Sequence, residues 1–440
     1  MVDKNLFVYD LAVVAILKNE APYVKEWIDY HLLAGVDHFF LYDNESPDNL
    51  KEVLQPYIDA GIVTYTFFPG QARQYEAYND ALRYKFFCRY MTWIDGDEFV
   101  FPKSHPTIAE VFDEVAGDDP TVAGLAANLN NYGSNHHKKA DLTKGVLERF
   151  TRRARVDWAP PFKHMPSMYD GNAHVSTVAN PRKVKYLPNP HYAIYIEGCH
   201  AVNENGGHVP LFCNYPVSTN KIAMNHYHTK SLEEYEQKIS RGTADGSMKR
   251  TIDVFKKHDT NDEFDDGIVR YRDSRLVSLL PYGGLENLMQ SKKINHGRLF
   301  NALANNLLPT VTKNLPPQFF EGNMETFLIC LNLSSYLKEK FLDEYVAKFF
   351  EEAALNAICK TMQTGMKIYD ILMLIAEMPR ILTLPYSAVS QLNELCIRIL
   401  PQVMANFRIQ NRWQDFHEAE YALKMLKSFA AQKNIGTADA

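Results

Sequence analysis

Residues 11–43 read LAVVAILKNEAPYVKEWIDYHLLAGVDHFFLYD, and two periods alternate within them. The opening LAVVAIL is a continuous apolar run, the pattern of a strand buried on both faces. From residue 21 the apolar positions Val24, Trp27, Ile28 and Leu32 recur at helical spacing, with Pro22 suited to a first turn and Gly35 to a stop. HFFLYD (38–43) is strand-like again. The alternation continues through a helix at PDNLKEVLQPYIDAG (47–61), a strand at IVTYTFF (62–68), a helix at QARQYEAYNDALRYKFF (71–87) and a strand at MTWID (91–95). Strands joined by helices of this length require right-handed crossovers. The predicted class is therefore α/β: a mostly parallel sheet with flanking helices.

A chain of 440 residues implies more than one domain. Residues 120–245 mix short strands with turns rich in Gly, Asn and Pro, the character of loops that line a cleft. Beyond about residue 285, long apolar stripes at helical spacing predict a separate helical domain. The expected partition is 1–246 for the α/β domain, 247–285 for a connecting segment and 286–440 for a helical C-terminal domain. Its apolar surface is expected to pack internally or to join copies into a homo-oligomer, in preference to docking on a membrane.

The net charge of −6 and the lack of a basic block disfavour nucleic acid as a partner. Six cysteines without a C-x-x-C pair suit reduced thiols better than disulfides or structural zinc. LAVVAIL is followed at once by Lys18-Asn19-Glu20, so it reads as a strand rather than a signal, and no run of about 18 apolar residues follows. The expected location is cytoplasmic, with any membrane contact peripheral at the inner face.

In open parallel sheets, ligands sit outside the carboxyl ends of the strands. Three polar clusters fall there: Lys18-Asn19-Glu20, Asp43-Asn44-Glu45-Ser46 and Asp95-Gly96-Asp97-Glu98. Asp95 and Asp97, on a turn flanked by apolar MTWI and FVF, can jointly present oxygens to a hard cation such as Mg²⁺ or Mn²⁺. Unpaired carboxylates beside a core are costly, so a positive partner is expected. In extended MNHYHTKS (224–231), His226 and His228 face one side, and either can offer a neutral imidazole to a metal. Lys230 and Arg241 supply positive charge suited to a diphosphate, though each also reads as an ordinary surface residue. Asp43 and Asn44 either accept hydrogen bonds from a base or ribose or build an Asx turn. Gln74, Tyr78 and Asn79 share one helical face and are expected to be part core, part cleft.

Six stretches together carry a family resemblance: VVAILKNEAPYVKEWIDYHLLAGVDHFFLYDNESPDN (13–49), WIDGDEFVF (93–101), YGSNHH (132–137), VLERFTRRA (146–154), NPRKVKYLPNPHYA (180–193) and NHYHTKSLEEYEQKISRGTADG (225–246). Their order and spacing resemble the glycosyltransferases of family 92 and bacterial relatives in the family 2 group, over roughly residues 8–246. The resemblance implies a GT-A fold, a nucleotide-sugar donor with UDP-sugar favoured, a divalent metal (Mn²⁺ or Mg²⁺) and inversion at the anomeric carbon. Carried over by position, Asp95 and Asp97 match the D-x-D motif and His226 the histidine that completes the metal site. Asp43 matches an acidic nucleotide contact, Lys18, Asn19 and Glu20 the end of the first strand beside it, and Lys230 and Arg241 the diphosphate contacts.

An inverting transfer also needs a carboxylate base for the acceptor hydroxyl. Asp170 and Glu197 in the loop-rich region are the candidates, with Glu197 slightly ahead. The acceptor implied is a glycan or glycolipid, with surface polysaccharide synthesis as the setting. Two rivals frame the reading: an inactive glycan- or nucleotide-binding module of the same fold, and a sugar nucleotidyltransferase. The second would carry a Gly-rich phosphate loop after the first strand, where this chain has KNEAPY. From the sequence, Asp97→Asn is expected to abolish activity while leaving the melting temperature near wild type.

Overall fold

The computed structural model describes residues 4, 7–85, 87–159, 171–241, 250–292, 386–410 and 412–436, with scattered helical positions between 331 and 382. The chain divides into two compact units, Met1–Asn306 and Leu307–Ala440.

The strands of the first unit are β1 Tyr9–Leu17, β2 His38–Asp43, β3 Val63–Phe67, β4 Cys88–Trp93, β5 Glu98–Pro102, β6 Val122–Asn131, β7 Arg152–Arg153, β8 Val175–Ala179, β9 Val184–Asn189, β10 Tyr192–Tyr195, β11 His200–Val202, β12 His208–Val209, β13 Ile222–His226 and β14 Glu263–Phe264. Its helices are α1 Ala21–Leu33, α2 Leu50–Asp59, α3 Gln74–Asp80, α4 Ile108–Ala116, α5 Val146–Arg149, α6 Leu232–Arg241, α7 Ile252–His258, α8 Gly267–Leu279 and α9 Gly284–Ser291. The helix expected over 71–87 is shorter: α3 passes into a 3₁₀ turn at Ala81–Tyr84.

The main sheet runs β12-β11-β6-β8-β4-β1-β2-β3. Parallel pairings join β1 to β2 and β4, β2 to β3, and β6 to β11 and β13. β8 is inserted antiparallel between β4 and β6. The architecture is the expected mostly parallel sheet with flanking helices. Because β2 leaves β1 on one side and β4 lies on the other, the carboxyl ends of β1 and β4 border a topological switch point, where such sheets bind ligands.

α1 covers the sheet with Trp27, Ile28 and Leu32, all but inaccessible, in one core with Phe39, Leu41, Phe99 and Phe112. Burying each such side chain stabilises by about 1.5–3 kcal/mol. Trp27 Nε1 also donates to the Glu98 carbonyl at 2.8 Å and Tyr30 Oη to that of Val100 at 2.9 Å, which fixes β5 beneath α1.

Residues 247–285, expected as a connector, fall within the first unit, and their described part is tied to its sheet. β14 pairs with β7. Asn131 Nδ2 donates to the His258 carbonyl at 2.7 Å, and Tyr271 Oη to the Pro106 carbonyl at 2.7 Å. In the second unit, α10 (Tyr386–Ile409) and α11 (Trp413–Gly436) pack together. The buried stripe of α10 runs Val389, Leu392, Cys396, Leu400, Val403, Phe407 at three- to four-residue spacing. Among the described residues, no helix is long and apolar enough to cross a membrane. Cys88, Cys199, Cys213, Cys359 and Cys396 are free thiols.

Candidate metal and nucleotide site

β4 ends at Trp93, and the chain turns at once through Asp95-Gly96-Asp97 into β5. A Cβ on Gly96 would stand 2.9 Å from Leu17 Cδ2 and 3.4 Å from Glu20 Cγ, so glycine permits this turn to approach the end of β1. β5 then runs antiparallel to β13, placing His226 opposite Glu98. The Tyr227 N–H donates to the Asp97 carbonyl at 2.9 Å. This ladder brings the D-x-D turn and the NHYH stretch to one edge.

Asp97, His226 and His228 offer ligand atoms that all lie within 4.8 Å of one another. His226 Nε2 is 3.6 Å from Asp97 Oδ1. The two imidazoles meet edge-on, with centroids 5.3 Å apart. His228, one of the pair the sequence singled out, thus joins His226 as a ligand candidate. Asp95 plays a different part: its Oδ1 accepts from Gln74 Nε2 at 2.7 Å and Tyr78 Oη at 3.2 Å. Gln74 is accordingly a buried positioner of the D-x-D turn.

Charge in the cluster is divided. Burial would raise Asp97, but Lys238 and His226 outweigh it and hold its carboxyl well below the usual range. Burial, then the Asp97 charge, raises Asp95. Burial lowers His226, yet the Asp97 carboxylate more than reverses that. Burial and the Lys238 charge push His228 well down, which leaves a neutral imidazole whose buried Nε2 has no hydrogen-bond partner. Glu98 is pushed up to about 7, chiefly by burial.

These features fit a divalent cation. The donor set is one carboxylate and two imidazoles, one of them with an orphaned buried nitrogen. Mixed nitrogen and oxygen donors suit Mn²⁺ better than Mg²⁺, which prefers oxygens alone.

Beside the cluster opens a cleft of about 290 Å³ lined by Asn19, Glu20, Tyr23, Lys230, Gln237 and Lys238 among others. Lys230 Nζ stands 3.6 Å from Glu20 Oε2 and 3.9 Å from the Tyr23 ring centroid. Asn19 and Lys230 both hold left-handed backbone, at φ 57° and 50°. Such conformations cost of order 1 kcal/mol for a lysine and cluster at functional sites. Buried Asn19 Oδ1 has no partner.

The remaining predicted residues separate clearly. Lys18 follows β1, half-buried. Asp43 ends β2 with Oδ1 accepting from the Ser46 N–H at 2.9 Å and Oδ2 from Tyr65 Oη at 2.6 Å, so it builds the local turn. Arg241 is the last residue of α6. Asn79 is spent on the fold, because its amide donates to the Leu187 carbonyl at 2.9 Å and accepts from the Leu187 N–H at 2.8 Å. Glu197 is exposed in the turn before β11, whose His200 pairs with Val122 at the start of β6. The site lies at the other end of β6, where Asn131 pairs with His226, roughly 30 Å away at ~3.3 Å per strand residue. Asp170 lies outside the described residues.

Lys238 was not anticipated. Its Nζ is paired with Asp97 Oδ2 and donates to the His228 carbonyl at 3.0 Å. Glu234, Tyr235 and Lys238 are buried on one face of α6, with Ser231 just before it, so a lysine sits on the inward face of the helix.

The described residues thus place an Asp/His cluster at the switch point of a mostly parallel sheet. The chain belongs to glycosyltransferase family 92, whose family model matches residues 14–268. It is 24% identical over 238 residues to a glycosyltransferase family 92 protein of Ricinus communis, an alignment covering 54% of this chain and 38% of the relative. It is 33% identical over 99 residues to the galactan beta-1,4-galactosyltransferase GALS2 of Arabidopsis thaliana, covering 20% of this chain and 19% of that one. The chain thus spans well under half the length of these relatives. Among solved structures, it is similar to residues 1–349 of TarS from S. aureus in complex with UDP-GlcNAc, with 8% identity, a TM-score of 0.30 and coverage of 95% and 92% of the two chains.

Proposed function

We infer that this protein is a metal-dependent, inverting glycosyltransferase that moves a hexose from a UDP-sugar to a glycan or glycolipid acceptor. Family membership supports the reaction class. The observation that carries the metal and the diphosphate is the juxtaposition of the Asp97, His226 and His228 cluster with a cleft bearing Lys230 and Lys238. Asp97, His226 and His228 would hold Mn²⁺, or less favourably Mg²⁺, and the bound cation would supply charge stabilisation for a departing diphosphate.

The chain's own residues do the rest. Lys230 faces the diphosphate, with Asn19 and Lys18 near the nucleotide. Gln74 and Tyr78 fix the D-x-D turn through Asp95. Asp43 stiffens the neighbouring strand end. In the transfer, the acceptor oxygen bonds to the anomeric carbon as the bond to the diphosphate oxygen breaks, and the hydroxyl proton passes to a carboxylate. Asp170 is the sequence's remaining candidate for that carboxylate, because Glu197 lies at the opposite end of β6. Asp170→Asn is expected to lower transfer about a hundredfold while UDP binding stays at the wild-type level; unchanged transfer rates would remove Asp170 from the role. Surface polysaccharide synthesis at the inner face of the membrane is the proposed setting.

The decisive experiment screens nucleotide sugars for turnover with Mn²⁺ present or chelated. The expected result is release of nucleoside diphosphate from one donor, lost on chelation. Binding of nucleotide without release from any donor, with or without acceptor glycans, would instead establish the binding-module reading.

A further inference from the structure

The carboxylate at the centre of the ligand cluster already has a cation. Lys238 Nζ is ion-paired with Asp97 Oδ2, and the two side chains are only 9% and 7% exposed. The same ammonium donates to the carbonyl of His228, so it is tied to two members of the cluster at once. Lys238 reaches this point from the second turn of α6, whose start is fixed by the buried Arg149–Glu234 pair and by Ser231. Its side chain also lines the cleft, together with Gln237, Lys230 and Asn19.

Two cations compete for one buried carboxylate in such a site. An unpaired Asp97 would be costly, and Lys238 removes that cost when no metal is bound. A lysine is a point charge on a flexible four-carbon stem, so it can turn from Asp97 into the cleft without moving the helix. There it would meet whatever anion the cleft accepts.

We propose that Lys238 is a built-in counter-ion that exchanges Asp97 for the donor's diphosphate, coupling binding of the divalent cation to binding of the nucleotide. This rests on the glycosyltransferase reading above. With Lys238 on Asp97, the cation binds weakly by itself. With a diphosphate in the cleft, Lys238 has an alternative partner and Asp97 becomes available. Each ligand therefore raises the affinity for the other, by a factor that must be the same in both directions.

The test uses the full chain, Mn²⁺ and UDP as probes, and Mn²⁺ binding read directly by electron paramagnetic resonance. For the wild type, Mn²⁺ affinity is expected to rise more than tenfold when UDP is present. In Lys238→Gln, Mn²⁺ alone is expected to bind about tenfold more tightly than to wild type, while the gain from UDP shrinks to about threefold or less. Unchanged Mn²⁺ affinity and unchanged coupling in that variant overturn the proposal. Should Lys238→Gln fold poorly, the wild type answers by acetylation mapped with mass spectrometry. Lys238 is expected to be protected in the metal-free protein, reactive with Mn²⁺ alone and protected again with Mn²⁺ and UDP; equal reactivity in all three states overturns the idea. A wild type that binds neither probe overturns the glycosyltransferase reading itself, whereas one that binds both, with the variant unaltered, removes only Lys238.

Discussion

Asp97→Asn is expected to reduce transfer by about 10³-fold or more, to abolish Mn²⁺ binding and to lower the stability of the first unit. The activity loss follows from removing the only carboxylate in the ligand cluster, and with it several kcal/mol of charge stabilisation. The stability loss follows from Lys238, whose buried ammonium would lose its Asp97 partner. Removing one member of a buried pair costs about 3–5 kcal/mol. Sequence reasoning expected no change in melting temperature, because it saw an acidic cluster relieved of a charge and could not see the lysine. Urea unfolding followed by tryptophan fluorescence reads this unit, where Trp27 and Trp93 are buried. The double variant Asp97→Asn/Lys238→Met should regain most of the lost stability and none of the activity. A single variant as stable as wild type would show that the pair contributes nothing to folding.

Arg149→Met carries the second large effect. Arg149 holds Glu234 through two hydrogen bonds of 2.9 Å, with side chains only 3% and 2% exposed. Glu234 in turn accepts from the Ser231 N–H at 2.9 Å, starting α6 and so setting the place of Lys238. The variant should lose about 3–5 kcal/mol of stability at neutral pH. The pH dependence has a definite sign. Burial works to raise the Glu234 carboxyl, but Arg149 and Ser231 bring it down to about 2 from 4.5. A depressed carboxyl contributes stability that is present above the unfolded value and lost as pH falls through the folded one. The gap between wild type and Arg149→Met should therefore be widest above pH 4.5 and narrow between 4.5 and about 2. A gap that is constant with pH would mean that packing of the Arg149 stem, not its charge, supports α6.

Much of the first half of the fold is legible in the chain. The runs at 11–17, 38–43 and 62–68 became β1, β2 and β3, with α1 and α2 between them, because each element buries its apolar face against the next in sequence. The polar clusters after β1 and β4 could likewise be placed at a ligand-bearing edge from the rule for parallel sheets. Less of the second half could be read. β8 is antiparallel within an otherwise parallel run, and the turn-rich segment 120–245 carries no periodicity that announces this. Glu197 was attractive only as a carboxylate in a loop; which end of β6 that loop meets is set by the His200–Val122 pairing. Asn79 looked like a cleft residue because a helix face shared by core and cleft gives one pattern for both, and only the position of β9 shows that Leu187 takes its amide.

By itself, then, the sequence determined the alternating α/β half, the acidic turn at its rim and the histidine pair, since local periodicity and the chemistry of side chains do not depend on distant neighbours. The tertiary structure alone decided that Asp97 meets His226 and His228 across the β5–β13 ladder and that Lys238, 141 residues further along the chain, closes the same carboxylate. Pairing between antiparallel strands and the inward face of a helix are fixed by packing over the whole unit, and a single chain of letters holds no distance between residues so far apart.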